Sequence, residues 1–390
     1  MKIISFLAAT ALVSLMLAGC STNDLGGPDC GGKIPSTPVS LSNSDVRIQL
    51  SSKSEGTRAS IESTEQGNFN LNGLRVFCLA TRQMTNGVNY PINWTLRHYN
   101  SYSVWLDNVA ANATIKTDEH QNPYTDISWA DGTTRYYPTG NGHAYSFYGI
   151  YPAADEILYD TTHVYALMNV DGHTDVLWGS AEDLTSPYAY SAKYFRQNPA
   201  AGNTAQMNFK HVFVRLKFAL NAGQDANGSY DPAAKTAVQR IEVGGVPQSV
   251  FLCVADTLYR YWEGQVIGTM GEQAIPLRDS NDSLVTKPYY PKDDGSTTPV
   301  DGYVLVPVPN NGSYTMNITL LETNEDGTKR LTPYVIKVPI NLADGYNFEP
   351  GHSYTVTLTV YSSTKISINA KLSPWVEDNT PFTPETGEAI

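Results

Sequence analysis

Apolar and polar residues alternate with period two along most of this 390-residue chain, in short runs cut by turn-forming clusters. That spacing puts every second side chain on one face, which builds half-buried strands and forbids a helical stripe. The runs are Val46-Ile48-Leu50, Tyr145-Phe147-Gly149 and Val212-Val214-Leu216-Phe218-Leu220, the last with Arg215 and Lys217 on the opposite face. Tyr303 to Val308, Tyr314 to Leu320, Tyr334 to Ile340, Tyr354 to Val360 and Ile366 to Leu372 continue the pattern. Between them lie Asp131-Gly132, Asn141-Gly142, Asp171-Gly172, Asn227-Gly228, Asn310-Asn311-Gly312 and Asp326-Gly327. These residues favour tight turns, and the last two sit at hairpin-like distances between strands. Short helices are expected only near Tyr188–Arg196 and Asp231–Val238. The fold class is therefore all-β. With 25 Tyr, 30 Gly and 23 Pro, the composition agrees.

The loose stretch Arg196–Ala205 divides an aromatic-rich first half from a more regular second half. Two tandem β-sandwich domains are expected, 59–205 and 206–375, each with about seven main strands. No repeat has solenoid or propeller spacing.

The N-terminus reads as an export signal. Lys2 precedes an apolar run from Ile3 to Leu17, and Leu17-Ala18-Gly19-Cys20 has the form of a lipobox. The run is short for a membrane span, which takes roughly 20 apolar residues. The expected arrangement is a lipoprotein signal peptide over 1–19, lipid on Cys20, and a polar tether over 20–44. The rest of the chain is then held to a membrane by lipid alone.

Composition and motifs argue against several functions. A net charge of −12 leaves no basic surface for nucleic acid. There is no Gly-x-Ser-x-Gly elbow, no phosphate-binding glycine loop and no His-Glu-x-x-His pair. No catalytic residue, metal site or cofactor is expected. His211 reads as a structural histidine at a joint, and Asp171, His173 and Asp175 as a turn rather than a cation site. Cys78 and Cys253 sit among apolar neighbours and read as buried thiols, a disulfide between them being the alternative. The aromatics Trp94, Trp105, Trp129, Tyr136, Tyr137 and Tyr145 read first as core, with a glycan-stacking surface as the rival.

Several segments together resemble the fimbrillin family, the surface pilins of Bacteroidetes. They are Tyr136-Tyr137-Pro138 followed by Tyr145 to Pro152, Asp175-Val176-Leu177-Trp178-Gly179, and Phe209-Lys210-His211-Val212 leading to Leu216-Lys217-Phe218. Phe348 to Tyr354, Ile368-Asn369-Ala370 and Pro374-Trp375 complete the set. The resemblance implies two transthyretin-like β-sandwich domains and assembly with other pilus subunits into a surface pilus. It also implies a precursor lipidated at the outer membrane and cut by an arginine-specific protease. A neighbour's strand would then replace the removed one.

On that reading 45–58 is a removable first strand and cleavage loop, with Val46, Ile48 and Leu50 as the apolar face. Arg58 before Ala59 is the expected cut, in a polar segment, whereas Arg47 lies within the strand and Arg75 beside apolar Val76 and Phe77, which should protect both. The donor is expected near the C-terminus, at Ile366, Ile368 and Leu372 or in the tail 376–390. The tail carries Pro381 and Pro384 and alternates poorly, a departure that keeps a tip or accessory role open. The rivals are a lipid-retaining anchor subunit and a monomeric glycan-binding lipoprotein.

Overall fold

The alternating runs pair into five sheets. The computed structural model describes residues 43–373 except 55–67, 86–87, 91, 97–101, 140–142, 184–188, 200–203, 231–234, 257–259, 280–282, 286–287, 324–327, 329–333 and 343–345. The first half contributes β1 (Asn43–Arg47), β2 (Gln49–Ser54), β3 (Leu71–Thr85), β4 (Val88–Tyr90), β5 (Val104–Thr117), β6 (Pro123–Trp129), β7 (Tyr136–Pro138), β8 (His143–Tyr151), β9 (Glu156–Tyr159), β10 (His163–Asn169), β11 (Leu177–Ala181), the helix α1 (Ala192–Gln197) and β12 (Thr204–His211). The second half contributes β13 (Val214–Ala222), β14 (Thr236–Val246), β15 (Ser249–Asp256), β16 (Val266–Met270), β17 (Gln273–Pro276), β18 (Thr298–Val306), β19 (Tyr314–Glu322), β20 (Tyr334–Ile340), β21 (Ser353–Ser362) and β22 (Lys365–Ser373).

In the first half one sheet runs β4-β3-β5-β6-β2-β12-β11-β8, and β8 pairs back to β3. Seven strands thus form a closed ring, with β4 attached outside it. Long β3 makes the closure because Arg75–Leu79 is paired on both sides, to β5 and to β8. The ring is narrow where glycines face an aromatic ring. A Cβ at Gly149 or Gly179 would come within 2.7 Å of the Phe209 side chain, which lies across both.

The second half is a sandwich of two four-stranded sheets, β18-β13-β21-β22 and β17-β14-β19-β20. Its centre is the row Val214, Leu216, Phe218 and Leu220 with Val356, Leu358, Met316 and Ile318, all 2% exposed or less. All-β sandwich architecture is therefore as the alternation predicts.

Three local readings need correction. Asn310-Asn311-Gly312 links β18 to β19, which lie in different sheets, so it is a crossover and not a hairpin. Arg215 is fully buried rather than outward. Its strand is paired on both edges, its Nε donates to Ser353 Oγ at 3.2 Å, and its guanidinium lies over Tyr303. The helix expected near Asp231–Val238 gives way to a strand from Thr236, where β14 pairs with β19 and burial overrides local preference. The first short helix forms, as α1, with the Ser191 hydroxyl accepting the Tyr194 N–H.

A fourth sheet, β16-β15-β10-β9, joins the halves, since β9 and β10 come from the first and β15 and β16 from the second, and the two-stranded pair β1-β7 is the fifth. Strand β12 completes the first ring, so the change of sheets falls between His211 and Val214. At that joint His211 Nδ1 lies 2.6 Å from Asp175 Oδ2, with both side chains buried. Asp171 instead accepts from the backbone N–H groups of His173 and Thr174, so the two carboxylates do not converge on a cation. Among the described residues no cluster of three or more His, Cys, Asp or Glu side chains is placed to hold a metal ion. Cys78 and Cys253 are buried free thiols.

The β15–β16 turn docks on the outer face of β8 and β11. Trp178 Nε1 donates to the Val254 carbonyl at 2.9 Å, and Lys210 Nζ lies over the Trp178 ring. The Tyr148 hydroxyl lies 2.6 Å from Glu182 and 3.0 Å from Glu263, while Arg260 holds Glu182 at 2.7 Å. One phenol proton serves one carboxylate, so the second contact needs a proton on Glu263. Burial, then the charge of Glu182, push the Glu263 carboxyl up to about 7.

A carboxyl whose pKa is raised by folding costs nothing while it is protonated in both states, and costs progressively more as pH climbs through the window. Stability should fall between about pH 4.5 and 7 by about 3 kcal/mol and level off above. Denaturant titration at pH 5 and pH 8 checks this, and Glu263→Gln should flatten that difference.

Candidate functional site

The segment with the strongest sequence claim to function is the first strand, and its seat can be built residue by residue. Ser44, Val46, Ile48, Leu50 and Ser52 alternate inward, and each is 8% exposed or less. Asp45, Arg47 and Gln49 alternate outward and are exposed. The run expected as one strand is two, because β1 and β2 part at Ile48. There the ladder changes partner. Strand β1 pairs with β7, Asn43 opposite Pro138 and Arg47 opposite Tyr136, and the Ile48 N–H donates to the Arg135 carbonyl at 2.8 Å.

Strand β2 then enters the ring. On one side it runs antiparallel to β6, with Leu50 opposite Ile127, Ser51 opposite Asp126 and Ser52 opposite Thr125. On the other it runs parallel to β12, from Gln49 opposite Thr204 to Ser54 opposite Phe209. The long joint is thus the parallel one, which is slightly weaker per residue than an antiparallel joint.

Surrounding groups fix the two walls. Thr125 Oγ1 accepts the Phe69 N–H at 3.0 Å, and Phe69 meets Phe209 edge to face. The approach to β7 is braced by Asp131, which Arg135 holds through both nitrogens, and that pairing keeps the Asp131 carboxyl well below the usual range. Arg135 also lies over the Trp129 ring at 4.9 Å, and Trp105 Nε1 donates to the Tyr136 carbonyl at 2.8 Å. At the surface Asp45 pairs with Arg196 of α1, a contact that adds little to stability when both groups are solvated.

Burial of Val46, Ile48 and Leu50 contributes roughly 1.5–3 kcal/mol each, about 5–9 kcal/mol together before chain entropy. Against it stands one defect. Ser52 is 2% exposed, and its hydroxyl has no hydrogen-bond partner among the described residues. The period-two spacing extends through Ser44 and Ser52, so the sequence carried the signal, but serine gave no reason to expect burial.

Other residues singled out in the sequence fall in two groups. Ile366, Ile368 and Leu372 lie in β22, which pairs with β21 at the edge of its own sheet. Cys20, Arg58, Ala59 and the tail 376–390 lie outside the described residues. Arg47 and Arg75 sit within paired strands. Trp94, Tyr137 and Tyr145 are fully buried core, which removes them as glycan platforms.

The fimbrillin-like family profile matches residues 57–375, most of the chain. The chain belongs to that family. Its members are structural, non-enzymatic proteins of cell-surface fimbriae, and this fimbrillin-like chain shares that adhesive, pilus-related role. No curated protein matches it. Similar solved structures include a fimbrial protein from Bacteroides vulgatus at 12% identity and TM-score 0.48, covering 85% of this chain and 99% of that one. A putative cell adhesion protein from Bacteroides uniformis matches at 14% identity and TM-score 0.40, covering 86% and 100%. The fimbrial anchor protein Mfa2 from Porphyromonas gingivalis matches at 10% identity and TM-score 0.32, covering 84% and 98%.

Leu50→Ala in the fimbrillin-like chain should cost about 2–5 kcal/mol, the range for truncating a buried leucine. Exposed Gln49→Ala should change stability by less than about 0.5 kcal/mol. Chemical denaturation of both variants checks the contrast.

Proposed function

We propose that this chain is a pilus subunit exported as a lipoprotein on Cys20, cut after Arg58, and polymerised when a neighbour's strand takes the place of β1 and β2. The observation that carries the reading is the seat of β2. It is a slot walled by two backbone ladders, lined by apolar side chains, and occupied by a segment only a few residues from a polar, arginine-bearing stretch. The family match, which begins at residue 57, agrees with a shared body that starts after that segment. Emptying the slot exposes unpaired backbone groups along β6 and β12 beside an apolar trough, a costly state. An incoming strand restores both ladders by β-augmentation. Cys20 lipid holds the precursor at the outer membrane until an arginine-specific protease acts.

The donor is the alternating segment Ile366–Leu372 or the tail 376–390. Since β22 is seated in its own sheet and the tail alternates poorly, a second reading has support. The chain could accept a strand without giving one, as a tip subunit or as an anchor that keeps its lipid.

Arginine-specific proteolysis of the purified lipid-free precursor should yield oligomers by size-exclusion chromatography, and Arg58→Ala should stay monomeric. Equal polymerisation of the Ala variant would overturn cleavage at Arg58 as the trigger. Mass spectrometry of the N-terminus on cells separates the two readings: Ala59 marks a processed subunit, lipidated Cys20 an anchor.

A further inference from the structure

The β15–β16 turn crosses from the second half onto the first, and ionisable side chains pin it at two points. At the end of β15, Asp256 lies opposite His163 in the ladder, and their side chains meet. The His163 ring stands between two carboxyl groups, with Nδ1 3.0 Å from Asp160 Oδ2 and Nε2 3.4 Å from Asp256 Oδ1. A neutral imidazole donates from one nitrogen only, whereas its cation donates from both. The two-sided contact therefore belongs to the cation. Tyr165 closes this cluster, stacking on the His163 ring and donating its hydroxyl to Asp160 at 3.2 Å. Burial pushes the Cys253 thiol up, so that group brings no charge.

Glu263 is the second point. Its Oε1 accepts the Asp256 N–H at 2.9 Å and lies 3.0 Å from the Tyr148 hydroxyl, whose proton is shared with Glu182 at 2.6 Å. Arg260 holds Glu182, and Lys210 lies over the Trp178 ring beside Gly264. Asp256 ties the two points together, its N–H going to Glu263 and its side chain to His163.

We propose that this turn is a proton-operated clasp: one proton on His163 and one on Glu263 fasten it to the first half, and loss of both in alkaline medium loosens it. The idea is independent of strand replacement. Both protons act in the same direction. Burial opposes the His163 charge, but the Asp160 hydrogen bond and the charges of Asp160 and Asp256 outweigh it and set its pKa above the ordinary value. Such a group stabilises the fold at low pH, and the contribution is lost as pH climbs through the folded value. Glu263, raised to about 7 by burial and then by Glu182, becomes a cost over the lower part of the same climb. Burial also works against the Asp160 charge, yet hydrogen bonds from His163 and the Thr162 N–H keep that pKa low, so Asp160 stays ionised throughout.

Hydrogen exchange followed by mass spectrometry on the intact chain tests the clasp. After correction for the intrinsic effect of pH on exchange, protection over Ser249–Val266 should drop about tenfold from about pH 5 to about pH 8.5. Protection over Tyr314–Glu322, in the far sheet of the sandwich, should stay level. His163→Gln should already weaken the turn at the acidic end, and Glu263→Gln should hold it to higher pH than the natural chain. The double variant should lose the pH dependence in that segment, which a merely structural role would not bring about. Equal protection of the turn at both pH values in the natural chain would overturn the clasp without recourse to any variant. An equal drop in both segments, or a pH dependence kept by the double variant, would overturn it too.

Discussion

The first half depends on the closure of a ring with an odd number of strands. Each antiparallel joint reverses direction, and a full circuit must return to the starting direction. Seven joints therefore cannot all be antiparallel. At least one must be parallel, and the β2–β12 joint is that one. Strand β2 is thus both a wall element and the piece that reconciles the directions of its neighbours. Remove it and no rearrangement of the other six lets β6 and β12 satisfy each other without moving the ring. Their edges would then be left unpaired.

The opposite wall is built to stay. The β8 and β11 strands are covered outside by the β15–β16 turn, through Trp178, Tyr148 and the carboxylates of Glu182 and Glu263. That cover explains why β8 is buried over eight consecutive residues although its sequence alternates only in part. Phe147 faces the ring interior, while Tyr148 faces the docked turn. Strand β10 extends the clasp by pairing with β15 across the boundary between the halves. The ring thus has its one parallel joint at β2 and its outer cover at β8 and β11.

Sequence alone revealed what depends on local spacing. The limits of β19, β20, β21 and β22 follow the alternation within a residue or two, because each has one face in a core and one towards solvent. It failed where both faces are buried, as at Arg215, since a charged residue in an alternating run reads as outward until its covering element is known. It failed also on partnership. Nothing in Asn310-Gly312 distinguishes a hairpin from a crossover, and nothing in Gln49–Ser54 announces a parallel neighbour 155 residues further on. The seat of Val46, Ile48 and Leu50 was legible as an apolar row; that it lies inside a closed ring was not.

The parity argument also constrains any strand that would take the place of β2. Run in the same direction, it keeps the parallel joint on β12 and the antiparallel one on β6. Run in reverse, it moves the parallel joint to β6, and the ring still closes. The two cases differ in the longer joint, for β2 meets β12 over six residues and β6 over only three. Reversal makes that longer joint antiparallel, the slightly stronger arrangement. The resident strand therefore holds its place with the weaker geometry on its longer side and with a stranded hydroxyl at Ser52. A covalent link to the ring offsets both defects, because an attached strand need not be captured from solution.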